Sequence, residues 1–482
     1  MAEVSIKKAT MINAVSKYGK VLMNLVFTAV LSRLLSPNDY GVVAIVTVFT
    51  SFFNILADMG LGSAVVQNKE LTDDEVNDIF SYSCYQGIML AVFFCILSVP
   101  ISVFYKNNVY LSICTILSVS VLFNTLNMIP NAILMKNKRF ITVAVRNIVT
   151  TLITGGVTIL LAFLGFKYYA LVFQSVTSSF IIFLWNLKGV HLKFRLKYNK
   201  ESINKVKNFS KYQFAYNIVN YFSRNLDNIL IGKLKGDENL AYYSKGYTLM
   251  LYPIQNLTFV ISPVLHPILS DHQNDKKYIY DKYIHITKLL SLIGIFISAF
   301  CFCASREIVL IMYGNQWEKA VMCFKILSLS VFSQIVSSTA GSIFQSLGKT
   351  KLMFNAGIVQ MIVTVSMIIL GCVIGTIETV AVCVTVGLIA KFFIEFGFLI
   401  IKGFEYRFAD FLKMYIPDMI ILAVLIAESF VLNSVINISS LIVSAIIKFI
   451  AIAVVYFILL ILLKQTKYLL NVIPKKFRKH KN

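Results

Sequence analysis

Fourteen stretches of about 20 mostly apolar residues follow one another along this 482-residue chain, with only short polar links between them. They lie near 11–34, 41–66, 78–105, 109–134, 140–165, 168–187, 209–232, 241–269, 285–312, 319–347, 352–373, 376–401, 411–432 and 438–463. Each can cross about 30 Å of hydrocarbon as a helix. A backbone in lipid must satisfy its own amides and carbonyls, so such stretches are expected to form an all-α, polytopic membrane bundle. Composition agrees: 57% of residues are hydrophobic and 14% charged, against about 45–50% and about 25% in a soluble domain. The first and seventh stretches are the least apolar, because they carry Lys17, Lys20, Lys211, Arg224 and Asp227.

A net charge of +22 would suggest nucleic acid in a soluble protein. Here the basic residues sit in the links, which makes them a topology signal, and no nucleic-acid partner is expected. With a cytoplasmic N-terminus, 29 of the 45 Lys and Arg residues fall in inside segments and 6 in outside loops. An even number of spans then places both termini inside, and the basic stretch from Lys464 to Lys481 agrees. No small-residue cleavage site closes a short apolar region after Lys7 and Lys8, so the first stretch reads as a retained anchor. The eight cysteines fall inside spans without zinc or disulfide spacing and read as packing residues.

The longest polar link divides six spans from eight. In it Leu192, Phe194, Leu196 and Tyr198 alternate with Lys193, Arg195 and Lys197. That alternation suits either an extended strip on anionic headgroups or a solvated basic linker. Ser16-Lys17-Tyr18 opens the first span and Ser210-Lys211-Tyr212 the seventh, as in a parallel repeat. The expected organisation is a lobe of six spans (1–187), a basic cytoplasmic linker (188–208), a second lobe of six (209–401), two further spans (402–463) and a basic cytoplasmic tail (464–482).

Charges in hydrocarbon cost roughly 2.5–3.5 kcal/mol each on insertion scales and mostly face a cavity or a partner. They are therefore the candidate substrate-binding groups. Arg224 lies well inside the seventh span with Asp227 one turn on. The two read either as a cation waiting for an anionic substrate or as a structural ion pair. Lys17 and Lys20 share a face of the first span, and Lys211 holds the matching place in the seventh. They either snorkel to headgroups or form a basic mouth to a cavity. Arg146, near the inner end of the fifth span, is a further candidate cation or a topology anchor. Glu307 and Lys325 are expected to pair across the Gly314–Trp317 loop, Lys391 with Glu395, and Glu428 with Lys448. Asp58 reads as a helix-end residue and Gly155-Gly156 as a close helix contact. No Walker A sequence occurs and the five histidines lack ligand spacing. No outside loop is large enough for an active site, so neither an enzyme, a metal site nor a cofactor is expected.

Several motifs fall in a familiar order. Arg33-Leu34-Leu35-Ser36-Pro37-Asn38-Asp39-Tyr40-Gly41 closes the first span, and Asp58-Met59-Gly60-Leu61-Gly62-Ser63-Ala64-Val65-Val66-Gln67 the second. Arg224-Asn225-Leu226-Asp227-Asn228-Ile229-Leu230-Ile231-Gly232 lies in the seventh, Tyr243 opens the eighth, and Gly314-Asn315-Gln316-Trp317 joins the ninth and tenth. Over nearly its whole length the chain resembles the bacterial polysaccharide flippases, the Wzx type within the MATE-like MOP superfamily. It looks closest to the lipopolysaccharide, colanic-acid and teichuronic-acid biosynthesis branch. The resemblance implies two six-helix lobes in a V around a central cavity, in the bacterial inner membrane. It also implies alternating-access transfer of undecaprenyl-pyrophosphate-linked oligosaccharide units to the outer leaflet. Membrane lipids, and the pathway's polymerase and chain-length regulator, are its expected partners. The same fold also serves multidrug cation antiporters, whose cavities should favour acidic residues over these cations. A membrane polymerase or ligase of the pathway is the enzyme alternative.

Overall fold

Removed from water, a long apolar run closes its backbone hydrogen bonds within itself. The computed structural model describes residues 6–58, 61–68, 70–270, 272–273 and 275–470, and among them no strand occurs. The chain separates into two compact units, 1–241 and 242–482.

The first unit holds α1 (Ile6–Leu34), α2 (Pro37–Asp58), α3 (Leu61–Gln67), α4 (Asp73–Tyr105), α5 (Val109–Lys136), α6 (Phe140–Phe163), α7 (Tyr168–Gly189) and α8 (Lys200–Lys235). α9 (Asp237–Ser270) runs across the division. The second unit continues with α10 (Lys276–Cys303), α11 (Ser305–Tyr313), α12 (Glu318–Ser328), α13 (Val331–Ser337) and α14 (Ala340–Ser346). It ends with α15 (Thr350–Ile374), α16 (Ile377–Gly397), α17 (Phe408–Lys413), α18 (Ile416–Val435), α19 (Leu441–Leu462) and α20 (Thr466–Leu470).

Ten of the described helices are long and apolar enough to cross a membrane, or eleven if the bent pair Asn315–Ser328 and Val331–Ser346 is one span. α1, α8 and α9 cover the expected first, seventh and eighth spans and are long, but they fall outside that set. Fourteen spans remain compatible with this count. The bend of 51° in the tenth expected span has a local cause. The hydroxyls of Ser328, Ser330, Ser333 and Ser338 each donate to a carbonyl three residues back, at 2.7–2.8 Å. Such back-bonding competes with the helical ladder.

The motif after α1 is a helix start. The Ser36 hydroxyl and amide donate to Asp39 Oδ2 at 2.7 and 3.0 Å, and the Asp39 amide donates to Ser36 Oγ at 3.2 Å. Pro37 at the first helical position has no amide to leave unsatisfied. The other Asp39 oxygen accepts the Tyr168 amide at 3.2 Å, so one buried carboxylate serves the starts of α2 and α7. Asp58 ends α2 and accepts the Gly62 amide at the start of α3, as a helix-end residue should.

Gly41 follows because nothing larger fits. A Cβ there would lie 1.8 Å from the Asp237 carbonyl oxygen. Asp237 is itself fixed, its Oδ1 accepting the Tyr110 hydroxyl at 2.5 Å. Gly41→Ala should therefore lower the stability of the purified protein by about 1–3 kcal/mol, the usual cost of overpacking. Gly156→Ala, with nothing within 4 Å of its Cβ, should be silent in the same thermal melt. Equal midpoints for the two variants would refute the close approach. Gly155, in contrast, seats the Phe27 ring of α1, 2.5 Å from where a Cβ would be; the expected close contact is there.

In the second unit α18 and α19 pack on α10 through Leu292, Ile295, Ala299, Ile421, Leu425, Ile452 and Leu460. Two buried ion pairs lie in the same unit, one between α10 and α18 and one between α11 and α19. Lys288 pairs with Asp418, whose other oxygen accepts the Ser291 hydroxyl at 2.6 Å, and Lys288 also donates to the Met414 carbonyl at 2.7 Å. Lys448 pairs with Glu307 and donates to Asn433 Oδ1 at 2.6 Å. Two expected pairings are thereby corrected. Glu307 reaches across to α19 and not across its own hairpin to Lys325, and Lys448 takes Glu307 in place of Glu428. Each choice brings Lys448 and Glu307 into one buried cluster with the Ser444 hydroxyl, which donates to Glu307 Oε1 at 2.7 Å. Lys288, near the cytoplasmic end of the ninth expected span, is 1% exposed inside the unit.

Candidate functional site

Helix α5 carries Ser120, Asn124, Asn127 and Asn131 at spacings of four, three and four residues. At 3.6 residues per turn these fall on one face over about 16 Å of helix. Neighbouring helices answer with polar groups. Asn124 Nδ2 donates to Asn54 Oδ1 of α2 at 3.2 Å, and the Ser120 hydroxyl to the Ser175 carbonyl of α7 at 3.4 Å. Asn186 of α7 donates to Asn127 Oδ1 at 2.6 Å. The result is a polar seam inside the first unit. Asn124, Asn127 and Asn131 stay half-exposed along it, and Asn186 is buried.

Arg146 of α6 sits at one end of this seam, 6% exposed. Its Nη1 donates to Asn131 Oδ1 at 3.0 Å and to Asn186 Oδ1 at 2.7 Å. Nε and Nη2 donate to Asn147 Oδ1 at 3.2 and 2.8 Å. All three partners are neutral amides, and no carboxylate among the described residues pairs with it. A guanidinium has five N–H groups in a fixed fork. Four are engaged here, so one Nη2 donor and the whole positive charge remain for something else. A structural ion pair would have supplied a carboxylate, whereas amide oxygens hold the fork in place without neutralising it.

The other candidate cations are not gathered around Arg146 by any contact in the described residues. Lys17 is half-buried on α1 and Lys20 is exposed on it. Asp227 of α8 is 3% exposed and accepts the Asn228 amide at 2.8 Å. The side chains of Arg224 and Lys211 lie outside the described residues, so the expected Arg224–Asp227 pair does too. The sequence signal for this cage is the asparagine spacing on α5. Charge within an apolar span marks Arg146, and the periodicity of amides on α5 marks its cage.

The basic link is docked, not loose. Asn77, Ser81 and Tyr85 form one stripe on α4 at i, i+4 and i+8. Asn77 Oδ1 and Ser81 Oγ accept the amides of Lys193 and Arg195 at 2.8 Å each, and the Tyr85 hydroxyl donates to the Leu196 carbonyl at 2.9 Å. Amides two residues apart in the link thus meet successive turns of a helix. Arg195 pairs with Asp74 and, at 3.5 Å, with Asp78; Lys205 pairs with Glu75 at 2.5 Å. These carboxylates raise the pKa values of Arg195 and Lys205 above their ordinary ranges. Both readings of the alternation are modified: the backbone of this strap is satisfied in part by α4. Phe194 and Leu196 nonetheless stay 51% and 81% exposed.

A family profile described as "Polysaccharide biosynthesis protein" matches residues 30–322, more than half of the chain. The teichuronic acid biosynthesis protein TuaB of Bacillus subtilis is 22% identical over 307 residues. That match covers 63% of this chain and 64% of TuaB, so the chain spans a little under two thirds of that relative. Among solved structures, the lipid II flippase MurJ in an inward closed conformation aligns with a TM-score of 0.74 at 15% identity, covering 95% of this chain and 99% of MurJ. An inward-facing MATE-family multidrug transporter of the MOP superfamily aligns at 0.62 and 16% identity, covering 82% and 96%. At these identities the structural likenesses establish the fold alone. The resemblance drawn from the motifs is borne out, and the chain is a multi-pass membrane protein of this fold.

Proposed function

The chain belongs to the polysaccharide biosynthesis protein family, and from that premise we propose that it is a flippase for lipid-linked oligosaccharide repeat units. The observation that carries this reading is Arg146, a buried cation caged by asparagine oxygens with no counter-carboxylate among the described residues. A sugar–pyrophosphate head is anionic and rich in hydroxyls. Crossing hydrocarbon, it needs a fixed positive charge and a row of amides, each of which both donates and accepts. The lipid anchor stays in the bilayer. Lys17, Lys20, Lys211, Arg224 and Asp227 join the proposal as further polar positions along the path.

The cargo is an undecaprenyl-pyrophosphate-linked glycan taken from the cytoplasmic to the outer leaflet of the bacterial inner membrane by alternating access. Both chain ends face the cytoplasm. The distribution of loop charge supports that orientation. The pathway's polymerase and chain-length regulator act on what this protein delivers.

Deletion of the gene, followed by mass spectrometry of the membrane lipids, tests the function. Completed repeat units on their lipid carrier should accumulate, and surface glycan should disappear. Proteoliposomes containing the purified protein should move that same lipid. Movement of drug cations with no movement of lipid-linked glycan would overturn the proposal in favour of an antiporter.

A further inference from the structure

We propose that the second unit carries a separate site for an amphiphilic phosphate ester with free hydroxyls on its headgroup. The site is a cavity of about 480 Å³ between α11, α12 and the turn joining α18 to α19. It does not depend on the identity of the transported cargo.

The floor of the cavity is the Glu307–Lys448 pair. Glu307 Oε1 accepts from both Lys448 and Ser444, and Asn433 takes a second Lys448 proton. Glu307 Oε2 is buried and has no donor among the described residues. A buried acceptor left open costs about 1–3 kcal/mol, so it calls for a donor from outside the protein. A hydroxyl is the neutral donor that fits beside Lys448.

One wall holds Lys325. Its ammonium lies 4.8 Å from the centre of the Phe302 ring and 5.4 Å from that of Phe430, and no carboxylate of the described residues pairs with it. At the mouth Arg306 and Glu318 satisfy each other at 2.9 Å. The lining therefore offers three cations, Arg306, Lys325 and Lys448, against two carboxylates, Glu307 and Glu318. Lys325 is the uncompensated one, so an anion is wanted on the wall and a hydroxyl on the floor.

The rim decides that the ligand is an amphiphile. Met322 and Ile438 line the opening and are 51% and 39% exposed. Phe430 and Val435 of α18 and Ile442 of α19 are 59%, 74% and 61% exposed. Acyl chains can lie along these side chains while the head enters the cavity. Two sources share that chemistry, a glycerol-headgroup phospholipid and a lipid-linked sugar phosphate.

Native mass spectrometry of the full-length protein in detergent tests the site with phosphatidylglycerol as probe. Phosphatidylglycerol should be retained over diacylglycerol, which lacks the phosphate, and over phosphatidic acid, which lacks the hydroxyls. Lys325→Ala strips no carboxylate of its partner, so it should fold, and it should weaken phosphatidylglycerol retention about 10-fold or more, as expected for one charge-assisted contact. Lys325→Arg should keep it, and Lys413→Ala, at an exposed lysine, should change nothing. Displacement of phosphatidylglycerol by extracted lipid-linked glycan would name the glycan carrier as the natural occupant, and failure to displace would name the phospholipid. Equal retention of diacylglycerol, or undiminished retention by Lys325→Ala, would overturn the proposal.

Discussion

Asp418→Ala should be the most destabilising single side-chain truncation in the second unit, costing about 3–5 kcal/mol. The substitution leaves the Lys288 ammonium, 1% exposed, with the Met414 carbonyl as its remaining hydrogen-bond acceptor. It also frees the Ser291 hydroxyl, which now donates to Asp418 Oδ2. Attraction within a buried pair roughly offsets the cost of drying both ions, so the pair's net worth is modest. Removing one member exposes the full cost of the other. The double variant Lys288→Met, Asp418→Leu should therefore recover most of the lost stability, because it removes both ions together, and Ser291 can turn to a carbonyl of its own helix. Thermal melts of the detergent-solubilised protein give the comparison directly. If the double variant melted as low as Asp418→Ala, shape rather than charge would govern the site. An unchanged midpoint in the single variant would refute the burial itself.

That pair also marks where reading the sequence stops. Lys288 and Asp418 are 130 positions apart, and Lys448 and Glu307 are 141 apart. Chain order suggests partners on consecutive spans joined by a short turn, which is why Lys325 and Glu428 were the expected ones. Partners on different helices depend on packing that no local pattern carries. The spans are legible because length and apolarity act locally and lipid leaves no alternative to the helix. The Ser36–Asp39 start of α2 is legible for the same reason, since a cap is a contact between near neighbours. The strap shows an intermediate case. Its alternation left two readings open, and its dock needs the Asn77, Ser81 and Tyr85 stripe on a helix more than a hundred residues earlier. The asparagine face of α5 is legible in principle, as a 3.6-residue period of amides, because it too is a local pattern on one helix.

Arg146→Met should abolish most transport while leaving the protein in the membrane at normal abundance. The two outcomes must be measured together, because the seam admits a structural role as well. If Arg146 only ties α5, α6 and α7 together, losing it costs assembly, and export per molecule stays constant while the amount of protein falls. If it holds an anionic headgroup, the asparagines still bond one another through Asn186 and Asn127, the amount of protein holds, and export per molecule drops. A charge-assisted hydrogen bond is worth about 1.5–3 kcal/mol, or roughly a 10- to 150-fold loss. Arg146→Lys separates charge from geometry. An ammonium keeps the charge but cannot hold Asn131, Asn186 and Asn147 in one plane and still present a further donor, so partial transport is expected. Arg146→Glu places a negative charge against amide oxygens that are already acceptors, and should fall below Arg146→Met. The order wild type, Lys, Met, Glu in export per molecule is the signature of a cation that meets an anion. Equal export by the Lys and Glu variants, at equal abundance, would remove Arg146 from the transport path.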